Sequence, residues 1–82
     1  MKTFELTPLK RKSFNRKAIV EQEGDISRLR SYDTIVAEYN HKTNKMIVRG
    51  YYSPTTARHI NAFLDFYGFD TVTKKEMENY NN

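Results

Sequence analysis

The stretch that decides the fold is RGYYSPTTARHINAFLDFYG, residues 49–68, which joins a predicted strand to the most strongly signalled helix of the chain. Ser53 suits the N-cap of this helix, because its hydroxyl can accept a hydrogen bond from an amide of the first turn. Pro54 suits the first helical position, where no amide donor is needed. Gly68 suits the residue just past the end, where a left-handed backbone is required. These signals predict a main helix over 54–67.

Apolar side chains recur along this helix at helical spacing and form one face. The members of that face are Thr56, Ala57, Ile60, Phe63, Leu64 and Tyr67. Arg58, Asn61 and Asp65 point the other way. The pattern predicts an amphipathic helix that packs on a sheet.

Four β-favouring segments precede the helix, and polar turn residues separate them. The predicted strands cover 17–22, 26–32, 35–39 and 45–52. Glu23, Gly24 and Asp25 fit a hairpin turn. Asp33 and Thr34 fit a kink or tight turn, because Asp side chains bond to nearby backbone amides.

Beyond the main helix, Thr73 and Glu76 have the spacing of a capping box and predict a short C-terminal helix at about 73–80. The expected fold class is therefore α+β, with a four-stranded antiparallel sheet packed by the main helix and the short one. We expect residues 17–80 to form a single small domain, preceded by an extended basic arm over 1–16.

The arm carries Phe4, Leu6 and Leu9 between polar residues, with Pro8 among them. This pattern predicts an extended segment whose apolar side chains dock on the domain. A run of basic residues without acids follows, made up of Lys10, Arg11, Lys12, Arg16 and Lys17. In a functional interpretation, this run contacts phosphates and Phe14 stacks on a base. In the structural interpretation, it is a solvated connector that Phe14 anchors to the core.

Strand alternation assigns residues to the two faces of the predicted sheet. Along 35–39, it places Val36 on the face opposite to Ile35 and Ala37. The outer face, turned away from the helix, would then carry Val36, Ile47, Tyr51 and Ile19. Such a face is too apolar to be left fully in water in a small monomer. We expect the arm or a partner to cover it, and a homodimer through this face is one such arrangement.

Composition narrows the classes of function. The chain has 82 residues, a net charge of +4, two histidines and no cysteine. The lack of cysteine excludes disulfides, Cys-ligated zinc and thiol chemistry, and it fits a reducing cytoplasm. No apolar run predicts a signal peptide or a membrane span. We therefore expect a cytoplasmic protein that does not contact a membrane.

No motif points to catalysis, and the protein is not expected to be an enzyme or to need a cofactor or metal. His59 lies beside the apolar helix face and is the first candidate for a base, metal ligand or binding contact. The competing interpretation is a histidine at the helix edge, hydrogen-bonded to a strand or to the arm. His41 lies in a polar turn, and no His-x-x-x-His or paired-carboxylate spacing supports a metal site.

Two sequence motifs stand out together, Ser-Tyr-Asp-Thr-x-Val-Ala at 31–37 and Tyr-Ser-x-Thr-Thr-x-Arg-His at 52–59. With them the chain resembles a family of short uncharacterised proteins encoded by bacteriophages and bacterial mobile elements. The resemblance covers nearly the whole chain after the basic arm. It implies a setting in the bacterial host cytoplasm rather than a mechanism. Small accessory proteins of that setting bind and block host machinery, including defence nucleases (anti-CRISPR proteins are examples), or modulate nucleic-acid transactions.

Two binding hypotheses follow. In the first, the protein inhibits or modulates a host protein or a protein–nucleic-acid complex. Its binding surface would include Arg49, Tyr51, Arg58, His59 and Phe66.

In the alternative, the protein is a small basic nucleic-acid-binding protein. The residues that would contact nucleic acid are Lys10, Arg11, Lys12, Arg16 and Lys17, with Arg28, Arg30 and Arg49 extending the track and Tyr51 or Tyr32 stacking on bases. Acidic residues interrupt this track at Glu21, Glu23, Asp25 and Glu38. Protein binding is therefore slightly favoured.

Overall fold

A computed structural model describes residues 2–6, 17–49, 54–78 and 80 of the chain. Its elements are β1 (Lys2–Glu5), β2 (Ala18–Glu23), β3 (Ile26–Ser31), β4 (Thr34–Asn40), β5 (Lys45–Val48), α1 (Pro54–Phe66) and α2 (Lys74–Glu78). The strands form one antiparallel sheet in the order β1-β2-β3-β4-β5. The predicted α+β class and antiparallel sheet are confirmed. The predicted strand number of four is wrong, because the described residues form five strands.

The fifth strand comes from the start of the predicted arm. Phe4 in β1 pairs with Val20 in β2, and the amide of Leu6 donates to the carbonyl of Ala18 at 2.8 Å. Leu6 is fully buried, and Phe4 packs against the same core. These side chains therefore pack on the helix side of the sheet and do not cover its outer face. The predictions for the rest of the arm, over 7–16, lie outside the described residues.

Short turns set the register of the sheet. Gly24, with φ of +59°, occupies the predicted β2–β3 turn, where a positive φ is easiest for glycine. The β3–β4 turn contains Tyr32, with φ of +57°, an uncommon conformation for an aromatic residue. In the β4–β5 turn, the side-chain oxygen of Asn40 accepts hydrogen bonds from the amides of Lys42 and Thr43, at 2.9 and 3.1 Å. The turns fall where the polar residues predicted them.

A β-bulge decides which residues of β4 face α1. Leu29 pairs with Ala37, whereas the next residue, Arg30, pairs with Ile35. Val36 is the extra residue of the bulge, and both Val36 and Ala37 are buried. Ile35 shares the outer face with Arg30. The predicted outward position of Val36 is therefore wrong, because strict alternation fails at the bulge.

Among the described residues, charged side chains rather than a continuous apolar patch cover the outer face. The ion pairs Arg30–Glu21, Arg49–Glu38 and Arg28–Glu23 lie on it. The aliphatic stems of these arginines can cover apolar surface while their charged ends stay in water. Ile19 is half-buried and Ile47 is exposed, while Tyr51 lies outside the described residues. An outer face of this kind does not require a cover.

The end of α1 matches its sequence signals closely. Gly68 has φ of +82°, and its amide donates to the carbonyl of Asp65 at 3.0 Å. The amide of Phe69 donates to the carbonyl of Leu64 at 2.9 Å. These two bonds form a Schellman motif, so the predicted role of Gly68 is confirmed. The predicted N-cap, Ser53, lies outside the described residues.

The C-terminal segment is tied to the side of α1. The Asn61 side chain donates to the Val72 carbonyl at 3.0 Å and accepts from the Val72 amide at 2.8 Å. The amide of Thr73 donates to the Glu76 carboxylate at 2.9 Å, and the amide of Glu76 donates to the Thr73 hydroxyl at 3.3 Å. This confirms the predicted capping box and lowers the pKa of Glu76. Met77 of α2 is buried in the common core.

Candidate protein-binding surface

His59 is buried between α1 and the sheet, with 1% of its surface exposed. Its Nδ1 lies 2.7 Å from the hydroxyl of Ser31, which lies 3.1 Å from the hydroxyl of Thr56. The ring of Tyr32 lies against the imidazole, with centroids 5.8 Å apart. Burial lowers the pKa of His59 below its ordinary value of 6.5. The side chain links α1 to β3, which agrees with the interpretation of a histidine hydrogen-bonded to a strand.

A second serine–histidine pair lies four residues earlier on the same strand. The Ser27 hydroxyl is 2.7 Å from Nε2 of His41. Ser27 and Ser31 are both buried. In this structure both pairs join the sheet to a neighbouring helix or turn.

Aromatic side chains gather at the end of the molecule where α1 terminates. We call this set the aromatic surface; its partly or largely exposed members are Phe4, His41, Phe66, Tyr67 and Phe69. Phe66 is 56% exposed although its ring lies 5.3 Å from Phe4 and 5.0 Å from Tyr67. The ring of His41 lies 5.1 Å from Tyr67. The rings therefore make contacts from β1, across the end of α1, to the β4–β5 turn.

Buried Tyr39 supports the aromatic surface from below. Its ring stacks on Tyr67 at 4.7 Å and makes edge contacts with His41 at 4.7 Å and Phe69 at 5.5 Å. Its hydroxyl donates to the side-chain oxygen of Asn44 at 2.9 Å. The surface is therefore fixed by stacking and by a hydrogen bond rather than by a loose loop.

The end of α1 and the edge strand β1 bring these rings together. The Schellman motif reverses the chain at Gly68, so Tyr67 and Phe69 fall on either side of the turn and at the same end of the sheet. Phe66 lies in the last turn of α1 and reaches the edge strand, where Phe4 faces the helix. Phe66 alone of this set is among the binding residues predicted from the sequence, because contacts between distant segments leave no local signal.

The acidic side chains beside the aromatic surface, at the end of α1, do not favour contact with a phosphate backbone. Asp65 and Asp70 are both exposed, and each lies next to an aromatic residue of the surface. Asp70 also contributes, after burial, to raising the pKa of Tyr80. Negative charges in these positions repel the phosphates of a nucleic acid.

The other predicted binding residues do not join this surface. Arg58 is exposed on the outer side of α1, and Arg49 pairs with Glu38 on the opposite face of the sheet. Tyr51 lies outside the described residues, as do Lys10, Arg11, Lys12 and Arg16. Lys17 is described, and its ammonium lies 5.4 Å from the centre of the Tyr32 ring. The described members of the predicted protein-binding set therefore do not form one patch.

Within 2–6, 17–49, 54–78 and 80, no cluster of three or more histidine and acidic side chains could hold a metal ion. In the same part of the chain, neither helix has the length and apolar character needed to cross a membrane.

Comparison with known proteins gives one result. No curated protein and no solved structure matches the chain. A family model described as a "Family of unknown function (DUF8033)" matches residues 4–79, from β1 to just beyond α2. Both sequence motifs, at 31–37 and 52–59, lie inside the matched range. Because the match covers most of its length, the chain belongs to this family of unknown function, DUF8033.

Proposed function

We propose that this protein acts by binding another protein through the aromatic surface. The observation that supports this most strongly is Phe66, which is 56% exposed while lying against Phe4 and Tyr67. Aromatic side chains are enriched at protein–protein interfaces, and a few such anchors supply most of the binding energy. A partner that buries Phe66 would gain this energy.

The rigid support of the surface favours the same function. Tyr39 holds Tyr67, His41 and Phe69 from beneath, and the Schellman motif fixes the chain between the last turn of α1 and Phe69. A surface that is already ordered loses little conformational entropy when a partner binds. Ordered aromatic side chains therefore convert more of their buried area into affinity.

We further propose that the partner is a bacterial host protein, alone or in a complex with nucleic acid, in the host cytoplasm. Binding would inhibit or modulate that factor, and a defence nuclease is one such target. The support is the resemblance to short phage and mobile-element proteins through the motifs at 31–37 and 52–59.

Nucleic-acid binding through the basic arm is the alternative. The arginines that would extend a basic track across the sheet, Arg28, Arg30 and Arg49, each lie beside an acidic side chain. An arginine engaged with a carboxylate is a weaker contact for phosphate, because the neighbouring negative charge repels it. This observation favours the protein-binding proposal.

Affinity capture from bacterial lysate tests the proposal, with three tagged proteins compared before and after nuclease treatment. They are the wild type, Phe66→Ser and Ile47→Ser. Ile47→Ser is the matched control, because Ile47 is also a large exposed apolar residue (45%) but lies on the outer face. Thermal melts followed by circular dichroism establish that both variants are folded.

The expected result is a single stoichiometric protein that survives nuclease, is retained by Ile47→Ser and is lost with Phe66→Ser. Equal capture by Phe66→Ser would exclude the aromatic surface as the binding site. Recovery of nucleic acid alone, lost on digestion or at high salt, would replace the proposal with the basic-arm alternative.

A further inference from the structure

Opposite charges lie on the two sides of the Phe4–Phe66 pair. Lys2 is on the sheet side, because it lies two residues before Phe4 on the same face of β1, about 7 Å along the strand. Asp65 is on the helix side, because it directly precedes Phe66 in α1. Both charged side chains are exposed. The aromatic pair is thus bordered by a cation on one side and an anion on the other.

Neither border charge takes part in an ion pair within the described residues. The ion pairs found there join Arg28, Arg30 and Arg49 to glutamates of the sheet. Glu23 lines the same surface hollow as Lys2, but its carboxylate approaches Arg28, at 4.0 Å. Lys2 and Asp65 therefore remain available for contacts with another molecule.

An apolar centre with opposite charges on its two sides is complementary to itself. A two-fold axis through the centre places Phe66 of one molecule against the aromatic pair of the other. The same rotation brings Lys2 near the second molecule's Asp65, and Asp65 near the second molecule's Lys2, as an isologous interface requires. Two attractive charge pairs would then border a shared aromatic core.

We propose that a second copy of this chain covers the Phe4–Phe66 pair when no other protein occupies it. The inference rests on the proposed function, because the same surface serves both, and it adds a form of regulation: the dimer must dissociate before a partner can bind. The surface around one exposed phenylalanine is far smaller than the roughly 800 Å² per partner of a stable interface. The dimer is therefore weak and depends on concentration.

Charge reversal tests this arrangement more sharply than loss of the aromatic ring alone. In Lys2→Glu, the two-fold axis brings the introduced carboxylate against the second molecule's Asp65, so both border contacts become repulsive. In Asp65→Lys, the introduced ammonium group lies near Lys2 of the second molecule, so both border contacts are again repulsive. A mixture of the two variants restores both attractive contacts, but only in the heterodimer. A head-to-tail or non-specific association would not give this pattern.

Sedimentation equilibrium of the full chain, from about 10 μM to about 1 mM at low salt, measures the association, a range suited to weak contacts. The wild type and Ile47→Ser should dimerise. Each charge variant should associate roughly ten-fold more weakly, and the equimolar mixture should return to within about two-fold of the wild type. Phe66→Ser should remain monomeric. Circular dichroism melts confirm that every variant is folded.

A wild type that stays monomeric throughout this range would overturn the inference, as would single charge variants that dimerise like the wild type. These outcomes are separate from the proposed function, because no partner is present in the experiment. A monomeric chain that still captures a partner through Phe66 would refute only the dimer. A dimer without any capture would refute only the proposed function.

Discussion

Replacing Val36 and Ile35 separately by threonine tests the β-bulge on which the sheet packing depends. Strict alternation places Ile35 towards the helix and Val36 away from it, whereas the bulge reverses the two assignments. Val36 is 1% exposed in the core, and Ile35 is only partly buried on the outer face opposite Arg30. Threonine is β-branched like both residues, so the strand propensity is largely retained.

The burial of each side chain sets the expected magnitudes. Valine and threonine have nearly the same shape, so Val36→Thr mainly places a hydroxyl in an apolar core. Such a change costs about 1–3 kcal/mol in proteins, and we expect about 2. Full burial of isoleucine is worth about 1.5–3 kcal/mol, and Ile35 is only partly buried. Because threonine retains part of that side chain, Ile35→Thr should cost about 1 kcal/mol or less.

Urea and thermal denaturation followed by circular dichroism measure the difference. A difference of about 1 kcal/mol between the free energies of unfolding of the two variants corresponds to a difference of roughly 4–8 °C in Tm for a domain of this size. Val48→Thr is a matched control, because Val48 is equally buried on the helix side of β5. It should be destabilised about as much as Val36→Thr. If Ile35→Thr lowers the free energy of unfolding more than Val36→Thr does, the bulge assignment and the packing built on it are wrong.

Two further predictions concern links between the helices and the rest of the domain. Because burial lowers the pKa of His59 below 6.5, its contribution to stability should be fully present above pH 6.5 and should be lost as the pH falls towards the lowered pKa. The free energy of unfolding should fall by at most about 1.4 kcal/mol per pH unit in that window. His59→Gln should flatten this dependence on pH. An unchanged dependence in the variant would contradict the assignment of the effect to His59. Asn61→Ala should remove both hydrogen bonds to Val72, lower the free energy of unfolding by about 1–2 kcal/mol and speed amide exchange over 72–78. The control is Arg58→Ala, an exposed position on the same helix, which should change the stability by less than about 0.5 kcal/mol. Unchanged exchange over 72–78 in Asn61→Ala would show that the segment is held by other contacts.

Features that depend on neighbouring residues were predictable from the sequence. The end of α1 at Gly68 and the Thr73–Glu76 capping box need only a few consecutive residues to satisfy their hydrogen bonds. The turn at Gly24 is equally local, because glycine adopts a positive φ without steric cost. For these elements the chemistry of a short window decides the structure.

Features that depend on pairing between strands were not predictable in the same way. The bulge at Val36 exists because the register with β3 shifts between Leu29 and Arg30, and neither strand reports that shift alone. Likewise, β1 is recognisable as a strand only through its pairing with β2, since four residues shortly before a proline carry a weak pattern. Both errors therefore come from contacts that the local sequence does not contain.

The aromatic surface combines both kinds of information. The position of Phe66 near the helix end could be predicted, but its contact with Phe4 joins the last turn of α1 to the first strand. Arg49 could not be assigned to the opposite face from Phe66 without knowing how β5 enters the sheet. A list of candidate residues drawn from sequence therefore mixed both faces of the sheet with a buried histidine.

The exposure of Phe66 supports a binding role, because folding alone does not account for an aromatic residue at this position. Buried side chains such as Leu6 and Met77 stabilise the core by leaving water completely, whereas more than half of Phe66 remains in water. A polar residue here would lose little folding energy and would remove an exposed apolar ring that promotes unspecific association. Under the proposed function, Phe66 would contribute little to the stability of the monomer and much more to that of a complex. That difference is what the Phe66→Ser and Ile47→Ser comparison measures.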